Sequence, residues 1–265
     1  MFPIAAGIVP TARTGGRPSR WVATGRVGGV SRPPYDSLNL ATHVGDDGAD
    51  VAANRAVLAG AVGASASRLA VMDAVHGRQV AVVSSPGVIA GVDALVTREA
   101  GLAIAALGAD CVPLALIGDD GRTIGVAHCG WRGLVVDVVG SLVSAMQAQG
   151  SDVGSAILGP AVCGTCYPVP TDRTDEVARR CSRAVAAAAS AWSPDGQPGI
   201  DVRLGVRARL IELGVEAPAI TMAGGCTVED PALFSFRRDG VTGRQGIAVC
   251  LKPDAPDDLE RMRPS

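Results

Sequence analysis

Short apolar runs dominate the middle of the chain, and Gly, Asp or Pro bounds each of them. Runs of this length between turn-forming residues are typical of buried β-strands, whereas a buried helix would be longer. The pattern therefore predicts a series of strands with short connections. These strands span residues 69–75, 79–83, 92–97, 102–107, 113–117 and 123–127, followed by 155–158, 218–222 and 246–251.

Four other segments carry apolar residues at helical spacing. The first is 50–63, and Asp50 is its predicted N-cap because a carboxylate there can accept the free amides of the first turn. Residues 134–150 form one continuous predicted helix. The remaining predicted helices are 174–192 and 201–215, the latter with Asp201 as its N-cap.

Helices and short turns both join neighbouring predicted strands, which is the pattern of an α/β (α+β) fold with mixed sheets. No repeat of fixed period divides the chain. We therefore predict a single domain at 19–252, built of mixed β-sheets flanked by helices. Residues 1–18 are predicted to be a flexible N-terminal segment and 253–265 a C-terminal tail.

Composition excludes several classes of protein. With 48% apolar and 19% charged residues, the chain is globular rather than disordered. A net charge of -2 and an aromatic content of 3%, without a basic stripe, argue against nucleic-acid binding. No apolar run is long enough to span a bilayer and no basic signal-peptide segment begins the chain, so we expect no membrane partner and a cytoplasmic location. The seven cysteines are expected to be mostly free thiols.

Residues capable of chemistry lie where predicted strands end. His76 follows one strand, Asp110 and Cys111 separate two more, and His128 ends another. Strand ends can converge in space, and two imidazoles with one thiolate are suitable ligands for zinc. Three protein ligands would leave a fourth position for water or substrate, as in catalytic zinc sites.

Spacing alone leaves other interpretations open, because the three residues are far apart along the chain and form no local metal motif. Each histidine can instead be a hydrogen-bonded loop residue. A third interpretation is a cysteine hydrolase with Cys111 as nucleophile and His128 as base, which leaves His76 without a clear role.

Three further polar segments are candidate binding sites. Arg132 opens a predicted helix, where amides and a guanidinium can bind phosphate, although a glycine turn explains the same residues. Asn39 and His43 lie in a loop that can bind a sugar or a base, or form a self-satisfied turn. Arg237 and Arg244 surround glycines, which is consistent with anion binding or with a solvated hairpin.

Cys163 and Cys166 form a CxxC motif, which occurs in redox sites and in zinc sites. No second CxxC is present to complete a structural zinc site, and a proline-rich turn follows. We therefore favour ordinary loop cysteines.

Ten stretches of the chain form a specific set when they are taken together and in order, and they extend from about residue 24 to 250. The stretches are TGRVGGVS, YDSLNLATHVGDD, VAANR, VHGRQV, DALVT, GADCVPLAL, AHCGWRG, LGPAVCGTCYPV, CTVED and FSFRRDGVTGRQG. In this order they resemble the YfiH-like family, which is also labelled laccase domain, multicopper polyphenol oxidase or peptidoglycan editing factor.

The resemblance implies a purine nucleoside phosphorylase with adenosine deaminase activity. Such an enzyme would cleave adenosine, inosine, guanosine or methylthioadenosine with inorganic phosphate, releasing the base and ribose 1-phosphate. The resemblance also implies that His76, Cys111 and His128 are Zn²⁺ ligands beside the nucleoside and phosphate sites. Asp110 is then the predicted proton shuttle of deamination, or a residue that orients a histidine ligand.

Two residues depart from the family pattern. Ala74 stands where a glutamine is expected, and Cys129 stands where an alanine is expected. Neighbouring residues on an extended chain point in opposite directions, so we predict that Cys129 lies outside the ligand set that contains His128.

The other family labels give two alternative functions. A polyphenol oxidase needs copper, and three histidines are too few for a multicopper cluster, although copper in the zinc site could support weak oxidation in vitro. A cysteine or zinc amidase that edits peptidoglycan precursors would use Cys111 as its nucleophile. We expect a monomer or a small homo-oligomer.

Overall fold

The computed structural model describes residues 3–10 and 16–252. In this part of the chain, fourteen strands form two six-stranded sheets and one two-stranded sheet. In chain order the strands are β1 (Ala5–Val9), β2 (Ser19–Ala23), β3 (Leu69–Asp73), β4 (Val80–Val82), β5 (Gly87–Ala90), β6 (Ala94–Thr97), β7 (Ala103–Gly108), β8 (Val112–Gly118), β9 (Ile124–Cys129), β10 (Val153–Leu158), β11 (Ser190–Trp192), β12 (Pro198–Ile200), β13 (Ile220–Met222) and β14 (Gln245–Leu251).

Both large sheets mix parallel and antiparallel pairs, as the alternation of turns and helices predicts. The first sheet has the order β1-β2-β14-β7-β3-β5, and β3 runs parallel to both of its neighbours. The second has the order β13-β10-β8-β9-β6-β4, with antiparallel pairs at its centre. Strands β11 and β12 form the small hairpin.

The described part of the chain contains seven α-helices, and six of them, α1 to α6, pack on the outer faces of the two large sheets. None of them combines the length and the apolar character that a membrane span requires. The helices are α1 (Gly48–Ala61), α2 (Trp131–Val135), α3 (Val138–Ala148), α4 (Thr171–Arg180), α5 (Arg183–Ala189), α6 (Val202–Glu212) and α7 (Phe236–Asp239).

The molecule has four layers because each large sheet is buried on both faces. The central core lies between the sheets, where Ile104 and Ile247 of the first pack with Ile117 of the second. A second core lies between the other face of the second sheet and helices α2 to α6. A third lies between the first sheet and α1. Burial on both faces explains why the central strands are continuously apolar instead of alternating.

All nine strands predicted with bounds are present, and the structure adds β1, β2, β5, β11 and β12. Strand β5 was not predicted, because Gly and Pro residues interrupt its apolar pattern. Residues Ala5–Val9 form edge strand β1 on β2, whereas the sequence predicted a flexible segment there. Residues 1–2, 11–15 and the predicted tail at 253–265 lie outside the described residues.

Three helix predictions need correction. The helix predicted at 134–150 is two helices, because Asp137 between them has a left-handed backbone (φ 61). The helix predicted at 174–192 also divides, since Ser182 caps a new helix and the chain then becomes β11. The N-cap of α1 is Asp47 rather than Asp50, and it accepts the Ala49 N–H at 2.7 Å. The Asp201 cap of α6 is confirmed, since its carboxylate accepts the Leu204 N–H.

Candidate active site

Three strand ends converge at one end of the two sheets. His76 follows β3 of the first sheet, whereas Cys111 precedes β8 and His128 lies near the end of β9 in the second. Their ligand atoms all lie within 4.8 Å of one another. The two imidazole rings meet edge to face, with centroids 4.7 Å apart. The sequence-based constellation is therefore brought together, in a form that can hold a metal ion.

The turn between β7 and β8 positions the thiol. A Cβ on Gly108 would come 2.5 Å from the Cys111 carbonyl oxygen, so this tight turn requires glycine. Asp110 within the turn and His76 both have positive φ values, 97° and 61°. Left-handed backbone is unfavourable for residues other than glycine, and its occurrence at two residues of one site is typical of functional centres.

A glycine also makes room at the end of β9. A Cβ on Gly130 would lie 2.9 Å from the Cys111 Sγ and 3.4 Å from Cδ2 of His76. The close approach of the backbone to two candidate ligands therefore excludes a side chain at this position.

Asp93 orients the site, and sequence analysis missed this role. Its carboxylate is fully buried and accepts the backbone N–H groups of His76 and Gly77 at 2.8 and 2.7 Å. The same carboxylate lies 3.4 Å from Nδ1 of His128. Metal-bound histidines commonly pair their second nitrogen with a carboxylate in this way. The detectable signal was a lone aspartate inside the apolar run GVDALV.

The buried thiol and imidazole stabilise each other's charged forms. Burial opposes ionisation of Cys111, but His128 and His76 outweigh it and lower the thiol pKa to about 6. Burial likewise disfavours a charged His128, but the Cys111 thiolate and the bond to Asp93 raise its pKa to about 9. Cys111 is therefore a ready thiolate, which is the form that binds metals and acts as a nucleophile.

A cavity of about 680 Å³ opens beside the three residues, which is large enough for a nucleoside-sized ligand. Its wall contains aromatic side chains, apolar side chains and four arginines. The polar and aromatic residues of this wall include His43, Arg55, Asp73, Asp110, Trp131, Tyr167, Arg173, Phe236, Arg237 and Arg244.

The cavity contains two of the three predicted arginines. Arg237 and Arg244 line it, and the Arg237 guanidinium lies 4.6 Å from the centre of the Tyr167 ring. Arg132 is exposed and does not line it. Its guanidinium instead lies over Trp131, and helix α2 has only five residues, so the structure does not bring Arg132 together with the other candidate residues.

His43 lines the cavity near Arg55 and Arg244. Burial lowers the pKa of His43, and the charges of both arginines lower it further, against the opposing effect of Asp73. The Nε of Arg55 donates to the Leu40 carbonyl at 2.8 Å. This end of the cavity is therefore rich in positive charge. Arg55 was not singled out in the sequence, because it lies on helix α1, far along the chain from the other residues.

Asn39, a predicted substrate-binding residue, does not line the cavity. Its side chain is fully buried, and its amide group donates to the Ala41 carbonyl and to Asp46. Its carbonyl oxygen accepts the backbone N–H groups of Ala41 and Arg244. Asn39 thus positions the Arg244 backbone. This agrees with the alternative interpretation, in which the polar groups of the loop hydrogen-bond to one another.

Asp110 connects the site to a neighbouring loop. One carboxylate oxygen accepts the hydroxyls of Thr227 and Ser235 at 2.6 and 2.7 Å, and the other accepts the Arg237 N–H at 2.7 Å. The histidine-orienting role that sequence analysis considered for Asp110 belongs to Asp93. The three donors also occupy the carboxylate that was the predicted proton shuttle.

Cys129 is fully buried in the core between the second sheet and its helices. Burial raises the pKa of its thiol, and its Sγ lies 3.6 Å from the Gly130 carbonyl oxygen. The residue is therefore a small core side chain next to the site.

Comparisons with known proteins identify the family of the chain. A model of the family described as multi-copper polyphenol oxidoreductase laccase matches residues 20–252. The purine nucleoside phosphorylase of Mycobacterium tuberculosis H37Rv is 45% identical over 239 residues, covering 88% of this chain and 92% of that protein. The purine nucleoside phosphorylase of Streptomyces coelicolor is 45% identical over 233 residues, covering 86% and 93%.

Solved structures share the fold. The hypothetical protein YfiH of Bacillus licheniformis superposes with a TM-score of 0.81 at 27% identity, covering 88% of this chain and 93% of that one. YlmD of Geobacillus stearothermophilus superposes with a TM-score of 0.80 at 30% identity, covering 94% and 100%. Sequence motifs, fold and relatives lead to one conclusion: the chain belongs to the YfiH family of laccase-domain proteins.

Proposed function

We propose that this chain is a zinc-dependent purine nucleoside phosphorylase that acts on adenosine, inosine, guanosine or methylthioadenosine. The observation that carries the proposal is a single cavity with a Cys–His–His cluster beside a group of positively charged side chains. Such a cavity suits a nucleoside together with an anionic second substrate. The names of relatives at 45% identity support the same reaction class.

The inorganic phosphate is proposed to bind between His43, Arg55 and Arg244. Two guanidinium groups can bind phosphate oxygens in the geometry for which arginine is favoured in anion sites. Among the described residues, the structure contains no protein acceptor for the Nη atoms of Arg55, so these donors face no competing partner. Both arginines are partly buried, which strengthens their interaction with an anion.

The purine is proposed to bind against the aromatic part of the wall. Phe236 is 59% exposed although it is a large apolar side chain, and it lines the cavity. Tyr167 presents a ring that Arg237 already covers from one side. A flat base can stack on such rings, while charged groups at its edge can stabilise the leaving purine.

The donor set fits zinc. Two imidazoles and one thiolate are typical zinc ligands, Asp93 supports one imidazole, and the cavity leaves room for a further ligand. His76, Cys111 and His128 would hold the ion, which supplies Lewis-acid chemistry and can activate water at neutral pH. Around it, Asp93 holds the His128 ring and the His76 backbone in place.

Adenosine deamination is the second activity that we propose for the same cavity, since water attack on C6 of adenine is a known reaction of zinc sites with His and Cys ligands. Because Asp110 accepts three hydrogen bonds, Asp73 on the cavity wall is the alternative proton carrier. Asp73 is 52% exposed, so its carboxylate can exchange protons with solvent.

One incubation tests the proposal. Metal-analysed protein is given adenosine with and without phosphate, and the products are separated by chromatography. Adenine and ribose 1-phosphate that form only with phosphate would support phosphorolysis, and inosine without phosphate would support deamination. Arg55→Ala should raise the KM for phosphate, whereas Arg132→Ala, its control outside the cavity, should leave it unchanged.

Other outcomes would favour the alternatives. Zinc-loaded protein that forms neither product would contradict the proposal. A covalent acyl adduct on Cys111 with a peptidoglycan precursor would favour an amidase. Phenol oxidation by copper-loaded protein at rates above nucleoside turnover would favour the polyphenol oxidase.

A further inference from the structure

Four side chains outside the cavity form a second cluster of potential metal ligands. The thiols of Cys163, Cys166 and Cys226 and the carboxylate of Glu229 have their ligand atoms within 4.8 Å of one another. None of the four lines the cavity beside His128. Sequence analysis favoured ordinary loop cysteines because the CxxC has no nearby partner in the chain, whereas the structure brings a third thiol beside it from a segment 60 residues further along.

We propose that these four side chains bind a second zinc ion, with a structural role. Three soft thiolates with one carboxylate favour zinc over hard cations such as magnesium or calcium. Four protein ligands fill a tetrahedral shell and leave no open position, which distinguishes structural zinc sites from catalytic ones. This inference is independent of the reaction that the cavity catalyses.

The two distances from Glu229 to thiols of the CxxC are close to those of a tetrahedral shell. One carboxylate oxygen of Glu229 lies 3.4 Å from the Cys166 Sγ and 3.8 Å from the Cys163 Sγ. With zinc bonds of about 2.0–2.3 Å to oxygen and sulfur, tetrahedral ligands are about 3.5–3.8 Å apart. A zinc ion can therefore enter between these groups with small side-chain adjustments.

The backbone supplies the hydrogen bonds that thiolate ligands need. Cys163 and Cys166 lie at the start and end of a 3-10 turn, and the Cys163 N–H donates to the Cys226 Sγ at 3.3 Å. The Thr165 hydroxyl lies 3.1 Å from the Cys163 Sγ. Donors of this kind orient metal ligands and stabilise their negative charge.

The two segments are held together before any metal binds. Cys226 forms an isolated parallel bridge with Ala161, and the next residue, Thr227, donates its N–H to the Ala161 carbonyl at 3.2 Å. A Cβ on Gly164 would overlap the side chain of Ala191, so the turn packs tightly on the β11 hairpin. Preorganised ligands lose little conformational entropy on binding.

This metal would support the wall of the active site. Val162, which precedes Cys163, donates its N–H to the Asp110 carbonyl at 3.0 Å. Thr227, which follows Cys226, donates its hydroxyl to the Asp110 carboxylate at 2.6 Å. The second zinc would thus fasten together two loops that both hold Asp110.

Metal counting on the full-length chain tests the proposal. The protein is purified with reductant and zinc, and bound metal per chain is measured by mass spectrometry. We expect two zinc ions in the wild type, one in Cys111→Ser, one in Cys226→Ser and none in the double variant. Cys181→Ser, a partly buried cysteine outside both clusters, is the matched control and should keep two.

A second measurement covers the case in which Cys226→Ser fails to fold. The Co²⁺-substituted wild type should show sulfur-to-cobalt charge-transfer absorption from a three-thiolate site, and Cys111→Ser should retain most of it. Glu229→Gln should bind the second zinc at least about tenfold more weakly. One zinc per wild-type chain that disappears in Cys111→Ser would overturn the proposal, as would a Cys163–Cys166 disulfide in the purified protein.

Discussion

Two neighbouring residues, His128 and Cys129, have opposite roles although both contain potential ligand atoms. The imidazole of His128 faces Cys111 and Asp93, whereas the Cys129 thiol is buried in the core beneath the sheet. We expect His128→Ala to abolish zinc binding at this site and turnover. Cys129→Ala should keep both and lose about 1 kcal/mol of stability through the small cavity it leaves. Metal analysis and nucleoside turnover check both variants, and equal loss in the two would contradict the assignment.

The backbone at Gly130 lies close to the candidate ligand Cys111, so a side chain at this position should disturb zinc binding. In Gly130→Ala the new methyl would lie 2.9 Å from the Cys111 Sγ, so the thiol must move. We expect zinc affinity to fall at least about tenfold, because displaced ligands lose their geometry. Gly133→Ala is the control, since its methyl would contact Val138 at 3.3 Å and Cys129 at 3.5 Å instead of the ligands. Unchanged zinc affinity in Gly130→Ala, measured by competition with a chelator, would argue against this view.

Asp110 is better explained as a positioning residue than as an acid or base. Its carboxylate joins Thr227, Ser235 and the backbone of Arg237, so Asp110→Asn must lose at least one of three hydrogen bonds. We expect a lower Tm and a higher KM for nucleoside in phosphorolysis and in deamination alike. Loss of inosine formation alone, with Tm and phosphorolysis unchanged, would restore the proton shuttle.

At the scale of elements, Asp137 explains why one predicted helix became two. Its left-handed backbone prevents α2 from continuing into α3, and its side chain caps α3 by accepting the Gly140 N–H. It also accepts two hydrogen bonds from Arg209 of α6, at 2.9 and 2.7 Å. Polar contacts of this kind do not appear in a hydrophobic pattern, so the apolar spacing across 134–150 predicted one continuous helix.

Two substitutions of Asp137 separate the contribution of its ion pair with Arg209 from that of its helix cap. Asn is an equally good cap and tolerates left-handed backbone, so Asp137→Asn should lose only the ion pair, about 1 kcal/mol. Asp137→Ala should lose about 1 kcal/mol more, because the cap is removed as well. Denaturant unfolding measures both losses, and identical stability of the two variants would contradict the capping role.

The ion pair between Asp137 and Arg209 should make the stability of the fold depend on pH. Burial alone would raise the pKa of Asp137, but the bonds from Arg209 and Gly140 outweigh burial and lower it. A carboxyl with a lowered pKa in the native state stabilises the fold above the pKa of the unfolded chain, and this stabilisation is lost as the pH falls. The stability difference between wild type and Asp137→Asn should therefore be constant near neutrality and disappear in acid. A difference that grows in acid would exclude this ion pair as its source.

At the scale of the whole molecule, the candidate active site lies where the two large sheets meet. His76 extends from the first sheet, whereas His128 belongs to the second. A metal held by both would therefore stabilise the contact between layers, because it binds the folded state and not the unfolded chain.

Removal of metal should consequently lower the thermal stability of the entire domain. Zinc at about 100 times its Kd contributes about 2.7 kcal/mol, which corresponds to a Tm decrease of about 5–10 °C in a chain of this size. Calorimetry with and without a chelator measures the effect. The double variant His128→Ala and Cys226→Ser should show no chelator effect, and a wild type that loses zinc without a change in Tm would contradict the coupling.

Local pattern was sufficient for most of the elements and for the three candidate metal ligands that the structure brings together. Continuous apolar runs marked the buried strands because both faces of each sheet are covered, and polar residues at their ends identified His76, Cys111 and His128. The family was also predicted correctly, because the motifs that indicate it are distributed over almost the whole chain.

Only the tertiary structure decided which polar side chains face the cavity and which support it. Arg132 and Asn39 looked functional but stack on a tryptophan or close a buried turn, whereas Arg55 and Asp93 come from distant elements. The cysteine cluster likewise depends on two loops that meet only after the sheets have formed. The physical reason is that hydrophobic periodicity is a local property of the chain, while a site is defined by contacts between segments far apart in sequence.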